Sequence, residues 1–554
     1  MILTGAQIIV ETLIEQGCEV VFGYPGGFVL NIYDELYKNS RRIKHVITAH
    51  EQGAAHAADG YARASGKVGV VMATSGPGVT NLITGLATAY LDSSPVVAIT
   101  GNVPLSALGK DSFQEVDSTG ITMPITKHNY IVKDVRDLAD TIREAFQIAK
   151  SGRPGPVLVD VPKDVQLATC KFTKSKEVEK ETPPMPDKEL VEMAVKYIQE
   201  SQKPYIYSGG GVVISDTGKE IEKLAEIIDS PMGFSMMGLS AVPVSNKRNL
   251  GMTGMHGRYA STKANSEADL IIAVGVRFSD RATGNRSSYA KKAKVIHIDI
   301  DPAEIDKNIN AYIGIVGDIK TTLNEIINRL TSVTHPEWQE EVESYREAEK
   351  SFYPKSDRLI PKTVFDKINA YCNENTVVAT DVGQHQMWAA QYYAFSAPRR
   401  YLTSGGLGTM GFGMGAAIGG CIAADKAKTV LITGDGSFGM NLNEMATAVR
   451  NSLPLVVVVM NNGVLGMVRQ WQTLFYDKRY AETTLNRQTD FVKLADAFGA
   501  TGYRVESVAD LDEVLPKAFE SKTPVIIDCI IDKDEKVFPM IPPNGSIEDI
   551  IVTE

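Results

Sequence analysis

Cysteine and tryptophan are scarce in this chain: 554 residues include five cysteines and three tryptophans. Cys18, Cys170, Cys372, Cys421 and Cys529 lie far apart, and no two have CxxC spacing. That excludes a disulfide framework, a zinc ribbon and a thioredoxin-like redox pair, and predicts reduced, mostly buried thiols. An excess of basic residues is missing as well. Lys and Arg number 57 against 67 Asp and Glu, a net charge of −10, which argues against a general nucleic-acid binder. No long apolar run exists. The longest, 453–460, is too short to cross a bilayer. The N-terminus opens directly on an amphipathic pattern (Ile2, Leu3, Ile8, Ile9, Leu13), without the hydrophobic stretch of a signal peptide or the Arg/Ser-rich composition of a transit peptide. These absences predict a soluble cytoplasmic protein, most simply a prokaryotic one, with neither nucleic acid nor membrane as a partner.

What is present is an ordinary globular composition, 44% hydrophobic and 22% charged, and a length worth three to four domains at roughly 150 residues each. Three blocks emerge, 1–171, 188–334 and 360–554. In each, short apolar runs that read as buried strands alternate with helical periodicity. The strand-like runs are 20–22, 68–73, 96–100 and 157–161, then 205–208, 270–276 and 295–300, then 377–380, 429–433 and 455–460. Alternation of this kind predicts an α/β fold with mostly parallel sheets covered on both faces. The polar, proline-containing stretch 171–188 reads as a linker, and 337–350 as a charged helical connector. The Pro-rich tail after Asp532 is expected to lie over another surface. There is also an internal echo. Gly76-Pro77-Gly78 precedes Asn81-Leu82, and Gly434-Asp435-Gly436 precedes Asn441-Leu442 at nearly the same spacing, which suggests two domains of one fold.

The third block carries the strongest chemical signal. Its strand 429–433 runs into Gly434-Asp435-Gly436-Ser437, and strand 455–460 runs into Asn461-Asn462-Gly463. In parallel sheets ligands sit at the carboxyl ends of strands. Asp435 and Asn462 would then stand side by side as a carboxylate and an amide oxygen, hard ligands suited to Mg²⁺. Gly436 and Ser437 open a helix whose free N–H groups favour an anion. A Gly-Asp-Gly turn is common by itself; the Asn pair behind its own strand is what makes a Mg²⁺-diphosphate site the better reading.

This combination resembles the metal-diphosphate signature of thiamine-diphosphate enzymes, and further motifs resemble acetohydroxyacid synthase (acetolactate synthase): Tyr24-Pro25-Gly26-Gly27, His50-Glu51-Gln52-Gly53, Phe113-Gln114-Glu115, GRPGPVLVDVPKDV (152–165), Gly383-Gln384-His385-Gln386, GGLGTMGF (405–412) and GMVRQWQTLFY (466–476). The resemblance spans nearly the whole chain. It implies three Rossmann-like, doubly wound domains for the pyrimidine ring, FAD and the diphosphate with Mg²⁺. The activity it implies joins two 2-keto acids with loss of CO₂: pyruvate with a second pyruvate or with 2-ketobutyrate, on the route to branched-chain amino acids. On that resemblance Glu51 is the residue that shares a proton with the aminopyrimidine ring. Gln114, Gly27 and Lys163 join it as catalytic-site residues. Tyr24, Pro25, Gly26, Gly383, Gln384, His385, Gly408, Met410, Asp435, Gly436, Ser437, Asn462 and Met467 hold the cofactor. Asp435 and Asn462, with Val464, hold the metal. Phe113, Met467 and Trp471 set the choice of second substrate. Segment 406–411 also spells GxGxxG, but no clear strand runs into it, so the dinucleotide reading is rejected.

The middle block suggests a second cofactor. Gly209-Gly210-Gly211, Gly275 followed by Arg277-Phe278-Ser279-Asp280-Arg281, and DIDPAE (299–304) each follow a strand, and glycine turns with arginines at strand ends suit a dinucleotide. They resemble the FAD-binding features of the biosynthetic synthases, which adds Arg153, Met255, His256, Asp299, Ile300 and Asp318. In that branch the flavin has no net redox role. The resemblance further implies a homodimer or homotetramer with active sites between chains, and allows a small regulatory subunit. Three positions depart from the pattern: Phe28 in place of a small residue, Met414-Gly415 in place of an apolar-Pro step, and Ser279 in place of an Asp. A pyruvate oxidase on the same scaffold is the main alternative, opposed by the QWQ segment together with GRPGPVLVDVPKDV. A non-catalytic scaffold is opposed by the joint presence of Glu51, Asp435 and Asn462.

Overall fold

The computed structural model describes residues 1–175, 183–353, 356, 358–486 and 488–553. Part of the expected linker, 176–182, lies outside the described residues. The chain builds three six-stranded sheets, each parallel throughout. In the first sheet the strands lie in the order Lys44–Ile47, Val20–Gly23, Gly69–Ala73, Val96–Asn102, Val157–Pro162, His128–Ile131. In the third the order is Tyr401–Leu402, Val377–Thr380, Thr429–Gly434, Leu455–Asn461, Val525–Ile530, Thr501–Val505. Numbered along each block, both read 2-1-3-4-6-5. The echo between 76–82 and 434–442 is therefore a repeat of topology. The middle sheet differs, with the order Asn249–Met252, Met232–Phe234, Pro204–Ser208, Leu270–Val274, Lys294–Asp299, Ile313–Val316. That is 3-2-1-4-5-6, the arrangement of dinucleotide-binding sheets.

Central strands are buried along their whole length, as an all-parallel sheet with helices on both faces requires. A short antiparallel pair, Ile2–Thr4 with Thr169–Lys171, closes the first block on itself. The helix that follows, Gly5–Glu15, starts on a capping box between Thr4 and Gln7.

The first and third blocks share a core. Helix Glu51–Ser65 crosses helix Phe412–Ala423 at backbone contact, and small residues make this possible. A Cβ on Gly60 would lie 2.4 Å from Ala416 O, and one on Gly419 would lie 1.9 Å from Ala57 O. Gly415, one of the departures from the family pattern, fits the same crossing, since its Cβ would meet Gly53 O at 2.7 Å. The tail runs over the third block and then reaches the second. Val537 N–H donates to Gln470 Oε1 at 2.8 Å, and Ile541 N–H to Met255 O at 2.8 Å. Among the described residues no helix is long and apolar enough to cross a membrane.

Candidate active site

The crevice of the third sheet opens where the strand order reverses, between Val377–Thr380 and Thr429–Gly434. Parallel register pairs Gly434 with Met460, so Asp435 and the Asn461-Asn462 turn leave the sheet side by side. Asp435 opens helix Asp435–Asn441. A cavity of about 220 Å³ lies here, lined by Asp435, Gly439, Asn461, Gly463 and Leu485, among others. Asn462 Oδ1 accepts from Val464 N–H at 3.2 Å, and its Nδ2 donates to Gln384 Oε1 at 3.4 Å. One lone pair of the amide oxygen stays available. Among the described residues no three His, Cys, Asp or Glu side chains gather in a metal-binding group. A cation here would have to draw on Asp435 together with amide and backbone oxygens, the donor set of Mg²⁺.

On the other wall Gly383 precedes helix Gln384–Tyr392. His385 is buried against Gly383 and Gly434, where a Cβ would come within 3.0 Å and 2.9 Å of its Nδ1. Burial pushes its pKa down to about 3, so the ring is neutral, and its Nε2 has no protein partner. Gln384 stands beside His385 on this wall. Its amide is committed to the protein, donating to Gln470 Oε1 at 3.0 Å and to Glu535 O at 2.8 Å. Ser437, expected at the diphosphate, is buried with its hydroxyl against Gly411 N–H at 3.4 Å and bonded to Asp381.

Met410 sits on a segment held from several sides. Asp381, fully buried, accepts from Gly411 N–H at 2.7 Å and from the Thr433 hydroxyl at 3.3 Å. Asn441 Nδ2 donates to Gly411 O at 2.9 Å. Gly408 has φ +70° with nothing within 4 Å of where a Cβ would stand, so the backbone there is left-handed and faces open space.

In the first block, His50 caps helix Glu51–Ser65, its ring accepting from Gln52 N–H at 3.1 Å. A second cap comes from the third block, where the Glu444 carboxylate accepts from Ala49 N–H and from His50 N–H at 2.9 Å. Glu51, in the first turn, is half-buried and accepts from Asn81 Nδ2 at 2.9 Å. Tyr24 to Gly27 form the turn after strand Val20–Gly23. Gly26 packs on Thr74, whereas Gly27 has open space beyond its Cα. Gln114 takes a left-handed backbone, φ 61°, and packs over Gly76 at the start of helix Pro77–Leu91. Phe113 beside it is 82% exposed. Lys163 opens helix Lys163–Leu167 with its ammonium 5.6 Å from the Phe28 ring centroid. Helix Gly466–Phe475 presents Met467 and Trp471. Trp471 packs on Phe475 at 5.4 Å and beneath the Arg281 guanidinium at 5.6 Å.

Three family models match the chain: the N-terminal TPP binding domain of thiamine pyrophosphate enzymes over residues 3–121, their central domain over 191–326, and their C-terminal TPP binding domain over 381–529. Relatives align over nearly the whole of this chain. An acetolactate synthase of Mycobacterium leprae is 46% identical, covering 99% of this chain and 90% of the relative. A probable acetolactate synthase large subunit of Methanocaldococcus jannaschii is 44% identical, covering 99% and 95%. The acetolactate synthase large subunit of Haemophilus influenzae is 41% identical, covering 100% and 98%. The chain belongs to the acetolactate synthase large-subunit family.

The acetolactate synthase fold brings two of the expected glycine turns to the switch point of the middle sheet. Gly209-Gly210-Gly211 leaves Pro204–Ser208, and Gly275 leaves the adjacent strand Leu270–Val274. The two turns touch, since a Cβ on Gly209 would lie 2.0 Å from Gly275 O. Ser208 Oγ, beside these turns, and His256 Nδ1, beyond strand Asn249–Met252, are buried without protein partners. Asp299 ends its strand with Ile300 beyond it, and burial lifts its carboxyl to about 6. Arg153 crosses from the first block to Glu304 at 2.7 Å, Arg277 donates to Leu91 O at 2.6 Å, and Arg281 reaches Met255 Sδ at 3.6 Å. Asp318 is a helix N-cap, accepting from Thr321 N–H at 2.8 Å. Sequence reasoning passed over Asn81, Asp381, Asn441 and Glu444. The echo had paired Asn81 with Asn441, yet as a mark of repetition and not of a site. Asp381 and Glu444 lack a local signal for this role, because the contacts that tie them to the site reach 30 and 395 residues along the chain.

Proposed function

We propose that this chain is the catalytic subunit of a cytoplasmic acetolactate synthase that uses thiamine diphosphate, Mg²⁺ and FAD, with domains at 1–171, 188–334 and 360–554. Two pyruvates and one proton give 2-acetolactate and CO₂; with 2-ketobutyrate as second substrate the product is 2-aceto-2-hydroxybutyrate. The observation that carries this reading is the neighbouring exit of Asp435 and Asn462 from the third sheet, in a chain that aligns over nearly its whole length with acetolactate synthases. Bound thiamine diphosphate supplies the carbon nucleophile that adds to the keto group and stores the electron pair left when CO₂ departs.

The residues divide the remaining work. Glu51, oriented by Asn81, holds a proton at the aminopyrimidine ring nitrogen and passes it on. Asp435, Asn462 and the Val464 carbonyl would hold Mg²⁺, and neutral His385, whose Nε2 has no protein partner, would donate to or accept from the diphosphate. Met410 and Gly408 would hold the cofactor in place. Gly27, Gln114 and Lys163 line the approach of the first keto acid. Phe113, Met467 and Trp471 form the wall met by the second. The touching glycine turns and the unpartnered Ser208 and His256 fit a flavin dinucleotide, which would serve structure and not electron transfer. The exposed Phe113, Leu407 and Met440 are apolar side chains suited to cover by a second chain, in keeping with a homodimer or homotetramer.

Proton NMR of pyruvate turnover, with all three cofactors supplied, tests the reading. Acetolactate as main product is expected. Acetate or acetyl phosphate would replace it with an oxidase, and acetaldehyde with a decarboxylase.

A further inference from the structure

Helix Pro77–Leu91 ends on Asp92, an aspartate at the end of a helix where the macrodipole disfavours a negative charge. Its side chain is nevertheless completely buried. The partners explain the placement. Asp92 Oδ1 accepts from Gly406 N–H at 2.7 Å, and Oδ2 accepts from Arg63 Nη2 at 3.0 Å. Arg63 also pairs with the buried Asp59 and donates through Nη1 to Thr403 O at 2.6 Å. One turn before Asp92, the Thr88 hydroxyl meets that of Thr409 at 2.7 Å. The first block thus grips the third at residues 403, 406 and 409, a regular spacing along the segment that leads into Met410.

The grip is close. A Cβ on Gly406 would come within 2.7 Å of Asp92 Oδ1 and 3.0 Å of Leu91, so the backbone itself is what Asp92 reads. A charged acceptor holds a peptide N–H about twice as firmly as a neutral one, and burial removes competing water. Within the single chain, segment 405–408 is exposed on its other side. Arg277 of the middle block donates to Leu91 O at 2.6 Å, which makes the same corner a joint of all three blocks.

We infer that Asp92 is a positioning residue of the active site: from the first block it fixes the backbone of segment 403–409, and through it the placing of Met410 against the cofactor. The inference rests on the proposed binding of thiamine diphosphate beside Met410. The test is isothermal titration of the full-length chain, freed of cofactor and resupplied with Mg²⁺, with thiamine diphosphate, alongside steady-state kinetics and thermal melting.

Asp92→Ala is expected to raise the Kd at least tenfold and to lower kcat, with KM for pyruvate changed less than threefold. Asp92→Asn keeps an acceptor for Gly406 N–H and is expected to recover the Kd to within threefold of the parent. Thr88→Val, which removes one hydroxyl from the same grip, is expected to raise it threefold or more. Glu15→Gln weakens the Glu15–Arg143 ion pair elsewhere in the first block, which shares no partner with the segment. Its melting temperature should fall while its Kd stays within twofold. Equal Kd shifts for Glu15→Gln and Asp92→Ala would overturn the inference in favour of a merely structural role. So would a folded Asp92→Ala with parental Kd and kcat. If Asp92→Ala does not fold, Thr88→Val decides, and an unchanged Kd overturns the inference. Failure of the parent itself to bind thiamine diphosphate would instead overturn the proposed function.

Discussion

Asn81 Nδ2 donates to Glu51 Oε2 at 2.9 Å, joining the N-terminal parts of two helices that leave different strands of the first sheet. The bond leaves Glu51 Oε1 clear and fixes the plane of the carboxylate. Glu51→Gln is expected to preserve fold and melting temperature while lowering kcat at least 100-fold, the lower range of what a positioned acid–base group contributes. Asn81→Ala removes only the orienting bond and should cost less, about tenfold. Steady-state kinetics on both variants check the ranking.

Trp471 lies between Phe475 and the Arg281 guanidinium. A large aromatic wall rewards one extra methylene by about 1–3 kcal/mol. Trp471→Leu should lower the ratio of 2-aceto-2-hydroxybutyrate to 2-acetolactate about tenfold in mixtures of pyruvate and 2-ketobutyrate, with total turnover less affected. Product ratios by NMR decide it.

At the helix crossing, a methyl group on Gly419 would stand 1.9 Å from Ala57 O. Backbone cannot yield as a flexible side chain does. Gly419→Ala should destabilise the chain by about 3 kcal/mol, the upper part of the usual overpacking range. Its thermal midpoint should fall by several degrees, whereas alanine at the exposed, right-handed Gly439 should leave it nearly unchanged.

Asp160 accepts from Ser118, Asn102 and, at 2.7 Å, the Thr100 hydroxyl, all buried. Desolvation outweighs these bonds and lifts its carboxyl to about 6. In the unfolded chain it titrates near 3.9. Between these values the folded state binds more protons at this site, so its contribution to stability falls as pH rises through the window. From pH 5 to pH 7 the loss is about 1 kcal/mol. Asp160→Asn, which does not titrate, should show a correspondingly smaller drop in urea denaturation between those pH values. An identical drop in both proteins would refute the assignment.

The strands legible in the sequence were the central ones, because burial on both faces leaves an unbroken apolar run. Those passed over lie mostly toward sheet edges or are two or three residues long: Lys44–Ile47, His128–Ile131 and Thr501–Val505 are partly exposed, and Tyr401–Leu402 has two residues. Val525–Ile530 is central but is interrupted by Asp528, a buried carboxylate held by Asn461 and Arg504. At the site, residues carried by glycine-rich turns announced themselves. Residues that act by reaching across the fold did not. Asp92 and Glu444 look like surface acids until the chain closes, and Gln384 is one of several residues that hold the tail.

The crossing of Glu51–Ser65 with Phe412–Ala423 pairs Gly60 with Ala416 across some 356 positions of chain. At roughly 5–20 residues per second of synthesis, the first of these helices waits some tens of seconds for its partner. During that interval its stripe of glycine and alanine, shaped for another backbone, faces whatever else is nearby. The first block must therefore be stable enough alone to keep that helix formed. The glycines that permit the tightest packing in the finished molecule are the same residues that weaken the helix while it waits.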